Sequence, residues 1–180
     1  MSLSTFTIKD NQMAKTKPEQ PSFQQFLDFF PAVALPFTLG EDTHLLFSKE
    51  NDPLPATAIR SYIFPIEGEE EIDEMTEYIA CFQLPSTNKF HAVVYWRASL
   101  LNYQYRLVCF DTKGNLIAEK VIAGTTYDGA DLTQTMAVIQ ENLQIYLVSG
   151  QSQVTVEDYA AANSTANRLQ ISDEGKIVEL

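Results

Sequence analysis

Residues 90–111 read FHAVVYWRASLLNYQYRLVCFD, and this stretch decides the fold. Two strand-length runs within it, Phe90–Ser99 and Tyr103–Asp111, are rich in the β-branched and aromatic residues that favour extended chain. The connection between them is far shorter than the dozen or more residues that a parallel crossover needs. The stretch therefore predicts an antiparallel hairpin.

The same pattern continues on both sides of this hairpin. Pro, Asn, Asp and Gly gather between the apolar runs, as is typical of tight turns. The predicted fold class is mainly β (α+β), an antiparallel meander of about six to eight strands. The further runs are Met75–Leu84, Leu116–Ile122, Thr133–Gln140, Leu143–Val148, Arg168–Ile171 and Lys176–Val178. A loop is predicted at 124–129.

Side-chain alternation indicates which faces of the sheet are buried. One side of the second run is apolar, and the other is only half apolar, which favours a sheet covered on both faces. Trp96 is expected in the core, whereas Tyr95 and Arg97 are expected on the more exposed face. The apolar sides are Tyr78, Ala80, Phe82 and Leu84 in one strand and Phe90, Ala92, Val94, Trp96 and Ala98 in the next.

A short amphipathic helix is predicted near the N-terminus. Ser22 is a good N-cap, and Gln25 completes a capping box. Pro31 ends the helix, because the residue before a proline avoids the helical region. The aromatic stripe is expected to pack on the sheet, with a groove-binding motif as the alternative. Its members are Phe23, Phe26, Leu27 and Phe30.

The segment 31–74 is divided by five prolines and gives weaker signals. We expect a strand at Leu45–Phe47 and one or two helical turns at Ala56–Tyr62. Residues 1–20 have no periodicity and are expected to form a flexible tail. The predicted organisation is thus this tail followed by a single β-rich domain over 21–180.

The charge of the chain restricts its partners. Twenty-four acidic residues against 12 basic ones give a net charge of −12. Phosphate backbones and anionic membrane surfaces repel such a protein, so nucleic-acid binding is not expected. No apolar run is long enough to span a bilayer, and no membrane insertion is expected. The chain as written is expected in the cytoplasm; removal of an export signal would place it in the envelope or periplasm.

No pattern in the sequence predicts catalysis, a cofactor or a metal. His44 and His91 do not have ligand spacing. Cys81 and Cys109 are expected on the two strands beside Phe90–Ser99, roughly 10 Å apart and too far for a disulfide. We therefore expect two buried free thiols. The chain also lacks a nucleophile elbow and a phosphate-binding loop.

The candidate interaction surface combines an acidic cluster with one face of the sheet. The cluster is interpreted first as a solvated linker; the alternatives are a contact for a basic protein and, least favoured, a metal site. The residues of this surface are Glu69, Glu70, Glu71, Asp73, Glu74, Tyr95 and Arg97. Aromatic residues also gather near the middle of the chain, where they can form core contacts or a platform for a sugar or protein. They are Tyr95, Trp96, Tyr103, Tyr105 and Phe110.

Three functions remain open at this point. The first is a non-enzymatic binding protein with an acidic surface, inhibitor- or immunity-like, that neutralises a basic protein partner. The second is a hydrolase that uses carboxylates in a cleft. The third is a structural module of a bacterial envelope protein.

Overall fold

The structure is a computed structural model that describes residues 20–68, 75–153 and 164–180. Within these residues, nine strands form one sheet. Strands β2 to β9 lie side by side in chain order, and every neighbouring pair is antiparallel. The predicted meander is confirmed. The strands are β1 (Phe37–Leu39), β2 (Glu77–Gln83), β3 (Phe90–Ser99), β4 (Asn102–Asp111), β5 (Leu116–Tyr127), β6 (Asp131–Ile139), β7 (Gln144–Gln153), β8 (Thr165–Ile171) and β9 (Ile177–Glu179).

Strand β1 stands outside this order because it pairs with the second half of β6. Phe37 lies opposite Ile139, and Leu39 lies opposite Ala137. β5 pairs only with the first part of β6, where Tyr127 lies opposite Leu132. β1 therefore fills the hydrogen-bonding edge of β6 that β5 leaves open.

The helices all lie before β2 within the described residues. The capping box of α1 is confirmed: Gln25 N donates to Ser22 Oγ at 3.2 Å, and Ser22 N donates to Gln25 Oε1 at 2.8 Å. None of the described helices is long and apolar enough to cross a membrane. They are α1 (Phe23–Leu27), α2 (Thr43–Glu50), α3 (Ala56–Ala58), a π-helical turn (Ile59–Ile63) and α4 (Phe64–Glu67).

The two expectations for the proline-rich segment have different outcomes. The helical turns at Ala56–Tyr62 are confirmed by α3 and the π-helical turn. The strand at Leu45–Phe47 is wrong, because these residues lie inside α2. Only Phe47 of the three is buried, and Leu45 is 46% exposed. One-sided burial of this kind suits a surface helix better than a strand.

Both faces of the sheet are covered, as the alternation predicts. The first core cluster lies on the face of the sheet that carries Trp96, called here the Trp96 face. Phe90 and Val94, which alternate with the residues on the other face of β3, belong to the same cluster. Residues of β7 and β8, such as Ile145 and Leu169, belong to the same cluster. The sheet therefore bends so that its later strands pack against its earlier ones.

The opposite face, called here the Tyr95 face, carries the second core cluster. Val93 and Val108 of the sheet pack there with Phe26 of α1 and with Ile63 from the helical turns. The predicted docking of the aromatic helix on the sheet is confirmed, because Phe26 is fully buried.

Strand β2 does not keep one face buried along its whole length. Tyr78 and Ala80 belong to the second cluster, whereas Phe82 and Leu84 belong to the first. A bulge between Ala80 and Phe82 shifts the register, and an extra residue exchanges the two faces. The Asn51 amide supports this bulge by donating to the Ala80 carbonyl at 2.7 Å. The expectation that all four residues share one side is therefore wrong.

The predicted loop at 124–129 is also shorter than expected. β5 continues through Gly124 to Tyr127, and the turn is confined to the residues before β6. Gly124 has a φ of +129°, and a Cβ at this position would lie 2.0 Å from the carbonyl oxygen of Tyr103. Glycine is needed here because β4 and β5 approach too closely for a side chain.

The two cysteines lie where the meander predicts. Cys81 is on β2 and Cys109 is on β4, on either side of β3. Both are free and buried. Burial raises the pKa of the Cys109 thiol to about 12 and also raises the pKa of Cys81.

Candidate functional site

The predicted interaction surface is only partly within the described residues. Its acidic members, Glu69, Glu70, Glu71, Asp73 and Glu74, lie outside them. Tyr95 and Arg97 are described and are 1% and 4% exposed. The prediction that these two side chains are exposed is wrong, because the helical turns of 56–67 cover the Tyr95 face.

Tyr95 and Arg97 instead belong to a buried polar cluster around Glu67. The Tyr95 hydroxyl donates to Glu67 Oε1 at 2.8 Å, and Arg97 Nε donates to Glu67 Oε2 at 2.8 Å. The Tyr78 hydroxyl also donates to Oε2, at 2.7 Å. Arg106 Nη1 lies 3.3 Å from Oε1. Each carboxylate oxygen of Glu67 therefore has two polar partners.

This cluster joins the end of α4 to the sheet. The Glu67 side chain has no exposed surface, so a ligand from solvent does not reach it. Burial, followed by the hydrogen bond to Glu67, raises the pKa of Tyr78. Burial and the charge of Glu67 likewise raise the pKa of Tyr95. Both phenols thus remain protonated donors at neutral pH, and the cluster has a structural role.

An open cavity of about 430 Å³ lies on the Trp96 face. Its wall is the turn before α2, and its floor comes from successive strands of the sheet. Tyr105 holds this wall in place, because its hydroxyl donates to the Gly40 carbonyl at 3.0 Å. Its lining includes Glu41, Asp42, His44, Trp96, Tyr103 and Gln134.

Three rings form a stack at this cavity. The His44 imidazole is parallel to the Trp96 indole, with centroids 4.4 Å apart and an interplanar angle of 3°. Tyr103 stacks with Trp96 at 6.1 Å and 25°. His44 is positioned by a 2.8 Å hydrogen bond between its Nδ1 and the Glu41 carbonyl. Trp96 is 6% exposed, whereas Tyr103 is 49% exposed and presents its ring to solvent.

The charges at the cavity have one sign. Glu41 and Asp42 are exposed, and none of the described lining residues is Lys or Arg. Gln134 Nε2 donates to Glu41 Oε2 at 3.2 Å and holds that carboxylate over the sheet. The cavity therefore combines aromatic surface with negative charge.

A second cavity of about 220 Å³ continues the first across β5, β6 and β7. The two share Glu41 and Gln134 in their linings. Met136 and Val148 are paired across β6 and β7 and are 53% and 56% exposed. We call the two cavities together the aromatic–acidic groove.

Sequence reasoning identified part of this groove and missed the rest. Trp96, Tyr103 and Tyr105 come together here, and the expected core position of Trp96 is confirmed. Glu41 and Asp42 were missed, because they lie in the proline-divided segment, whose position depends on the distant pairing of β1. Tyr95 and Phe110, the other aromatics of that group, lie on the opposite face.

The donor set at the groove does not resemble a metal centre. Within the described residues, no group of three or more His, Cys, Asp or Glu side chains is placed to hold a metal ion. Glu41 and Asp42 are neighbours in the chain and lie on the same wall. We compared the chain with protein-family models, curated proteins and solved structures, and none of these comparisons finds a match.

Proposed function

We propose that the protein is a non-enzymatic binding protein that holds a basic protein partner at the aromatic–acidic groove. The observation that carries the proposal is the lining of the groove, where Glu41 and Asp42 adjoin the rings of Trp96 and Tyr103. The net charge of −12 supports it, because complementary charge speeds the encounter with a basic protein.

Exposed apolar side chains beside the carboxylates also favour a protein partner. Met136, Val148 and Tyr103 are each about half exposed. Protein interfaces combine aromatic residues and methionine with a polar rim. The groove thus offers both the apolar contact and the charge that such an interface uses.

Binding is favoured over carboxylate-based hydrolysis by the placement of the acids. Glycoside hydrolases use two carboxyl groups that face each other across the scissile bond. Glu41 and Asp42 are adjacent in the chain, and the rest of the cavity's described lining contains no further Asp or Glu to face them. This arrangement suits attraction of a positive group better than acid–base chemistry.

Affinity capture with matched variants tests the proposal. The wild-type chain is compared with a Glu41→Gln/Asp42→Asn double variant and with an Asp173→Asn/Glu174→Gln control. The control removes the same charge from the exposed turn between β8 and β9. We expect the wild type and the control to retain a basic protein that the groove variant loses. We also expect elution of that protein as salt rises, because salt screens exposed charges.

Two results would contradict the proposal. One is retention of the same partners by the groove variant and the control. The other is a captured partner that is acidic and whose binding is indifferent to salt.

A further inference from the structure

We infer that the cavity beside Trp96 receives an arginine side chain of the partner, with its guanidinium between the Tyr103 ring and the carboxylates of Glu41 and Asp42. This inference rests on the proposed function and names the chemical group that the site recognises. It depends on three features of the cavity, which are its flat aromatic surface, its charge and its size.

The rings provide a flat surface at which one position is open. His44 occupies one stacking position against Trp96. Tyr103 continues the stack and leaves about half of its surface to solvent. A planar guanidinium stacks on such a ring, whereas an ammonium group interacts only as a point charge. The flat geometry therefore favours arginine over lysine.

The carboxylates provide the complementary charge. Glu41 lines the cavity and accepts a hydrogen bond from Gln134, and Asp42 follows it on the same wall. A guanidinium presents five donors in a rigid fork, which matches carboxylate oxygens. Because none of the described lining residues is Lys or Arg, no resident cation competes for these acids.

The size of the cavity is sufficient for an arginine side chain. Small-molecule pockets range over about 300–1,000 Å³, and this cavity of about 430 Å³ lies near the lower end. The adjoining part of the groove, with Met136 and Val148, then remains for apolar side chains of the same partner. An arginine anchor with apolar neighbours is a common composition of interface hot spots.

Trp96 allows a direct test because it is the one tryptophan in the chain. Its fluorescence is titrated with three probes, N-acetyl-arginine amide, N-acetyl-lysine amide and N-acetyl-citrulline amide. We expect a saturable change with the arginine probe and an apparent Kd at least about fivefold weaker with the lysine probe. The citrulline probe keeps the shape without the charge and is expected to give no saturable change.

Variants then identify the groups that bind the probe. Asp42→Asn and Tyr103→Leu each change one exposed group, and we expect each to weaken binding of the arginine probe by about tenfold. Asp173→Asn is the control, since Asp173 lies in the same turn as Gly175, where an added Cβ would meet Phe90 at the other end of β3. It is expected to leave the Kd unchanged.

The outcomes separate this inference from the proposed function. Equal binding of the three probes, or no saturable change with the arginine probe, overturns the arginine site. If capture of a basic partner nevertheless depends on Glu41 and Asp42, the proposed function stands alone. Saturable arginine binding that is lost in the variants supports the site, even if affinity capture identifies no basic protein.

Discussion

Among single residues, Glu67 illustrates how burial dictates the partners of a charge. Removing a carboxylate from water costs several kcal/mol unless other groups compensate for the lost hydration. Here two phenols and two guanidiniums supply that compensation. Arg106 also lies 4.0 Å from Glu119, so two acids face two bases in this region.

Replacement of Glu67 by glutamine is expected to destabilise the protein strongly. The change removes the negative charge of Glu67 from beside the guanidinium of Arg97, whose side chain is 5% exposed. Breaking a buried pair in this way costs about 3–5 kcal/mol. Urea unfolding followed by circular dichroism measures the loss in the free energy of unfolding.

A matched exposed acid provides the control for this experiment. Glu174 is paired with Lys176 at 3.8 Å, and both side chains are about 70% exposed. Glu174→Gln is expected to change the free energy of unfolding by less than about 0.5 kcal/mol. Equal losses in the two variants would show that the Glu67 pair contributes nothing beyond a surface pair.

At the scale of elements, the predictability of each segment follows from the range of its interactions. β3 has the bounds that its alternation predicts, and α1 begins at the predicted cap, because both signals are local. β1 was not predicted, since its three residues are defined as a strand by their pairing with the distant β6. The bulge in β2 has no local signal either, and it reversed the predicted faces of that strand.

The same reasoning explains what was missed at the groove. The floor of the groove consists of strands in which the alternation of side chains assigns each residue to a face of the sheet. The grouping of Trp96 with Tyr103 was therefore predictable. Its wall depends on where β1 ends and on the Tyr105 hydrogen bond to Gly40. Neither contact has a signature in the sequence of Glu41 and Asp42.

The docking of α1 predicts a large effect for Phe26→Ala. The Phe26 ring is fully buried against Tyr62 at 4.7 Å, Phe30 at 5.1 Å and Phe110 at 5.9 Å. Truncation of a buried phenylalanine costs about 3–5 kcal/mol. Gln24→Ala on the exposed side of the same helix is expected to cost far less. Thermal denaturation of the two variants compares them, and similar melting temperatures would argue against a role of α1 in the core.

The close approach of β4 and β5 makes a second prediction, for Gly124→Ala. The new Cβ would lie 2.0 Å from the Tyr103 carbonyl oxygen, so the strands must move apart. We expect a loss of at least about 2 kcal/mol in the free energy of unfolding and a shift in Trp96 emission. Gly40→Ala is the control, because its Cβ would meet Met136 at an ordinary 3.6 Å. Comparable stability of the two variants would contradict the conclusion that β4 and β5 lie too close together at Gly124 for a side chain.

For the molecule as a whole, packing of the first core cluster buries both thiols, so that only extensive unfolding exposes them. Cys81 and Cys109 lie in the first core cluster with 0% exposure. Burial raises the pKa of both thiols, so the neutral form predominates at pH 7 and the reactive thiolate is scarce.

Thiol modification therefore reports global unfolding. We expect the native protein to react slowly with a chromogenic disulfide reagent and to release two equivalents promptly in guanidinium chloride. Ser48→Cys, on the exposed surface of α2, is the positive control and is expected to react at once in the native protein. Prompt reaction of either natural cysteine without denaturant would contradict the burial of these strands.

The pairing of β1 with β6 also matters while the chain is being made. Residues 37–39 leave the ribosome about a hundred residues before their partners 137–139, an interval of roughly 5 to 20 s at ordinary rates of translation. During that interval β1 has no strand with which to pair. The apolar stripe of α1 likewise has no surface to cover until β3 and β4 have been made. β1 can therefore join the sheet only after residue 139 has been made, and the sheet is complete only after β9, at residues 177–179, has followed.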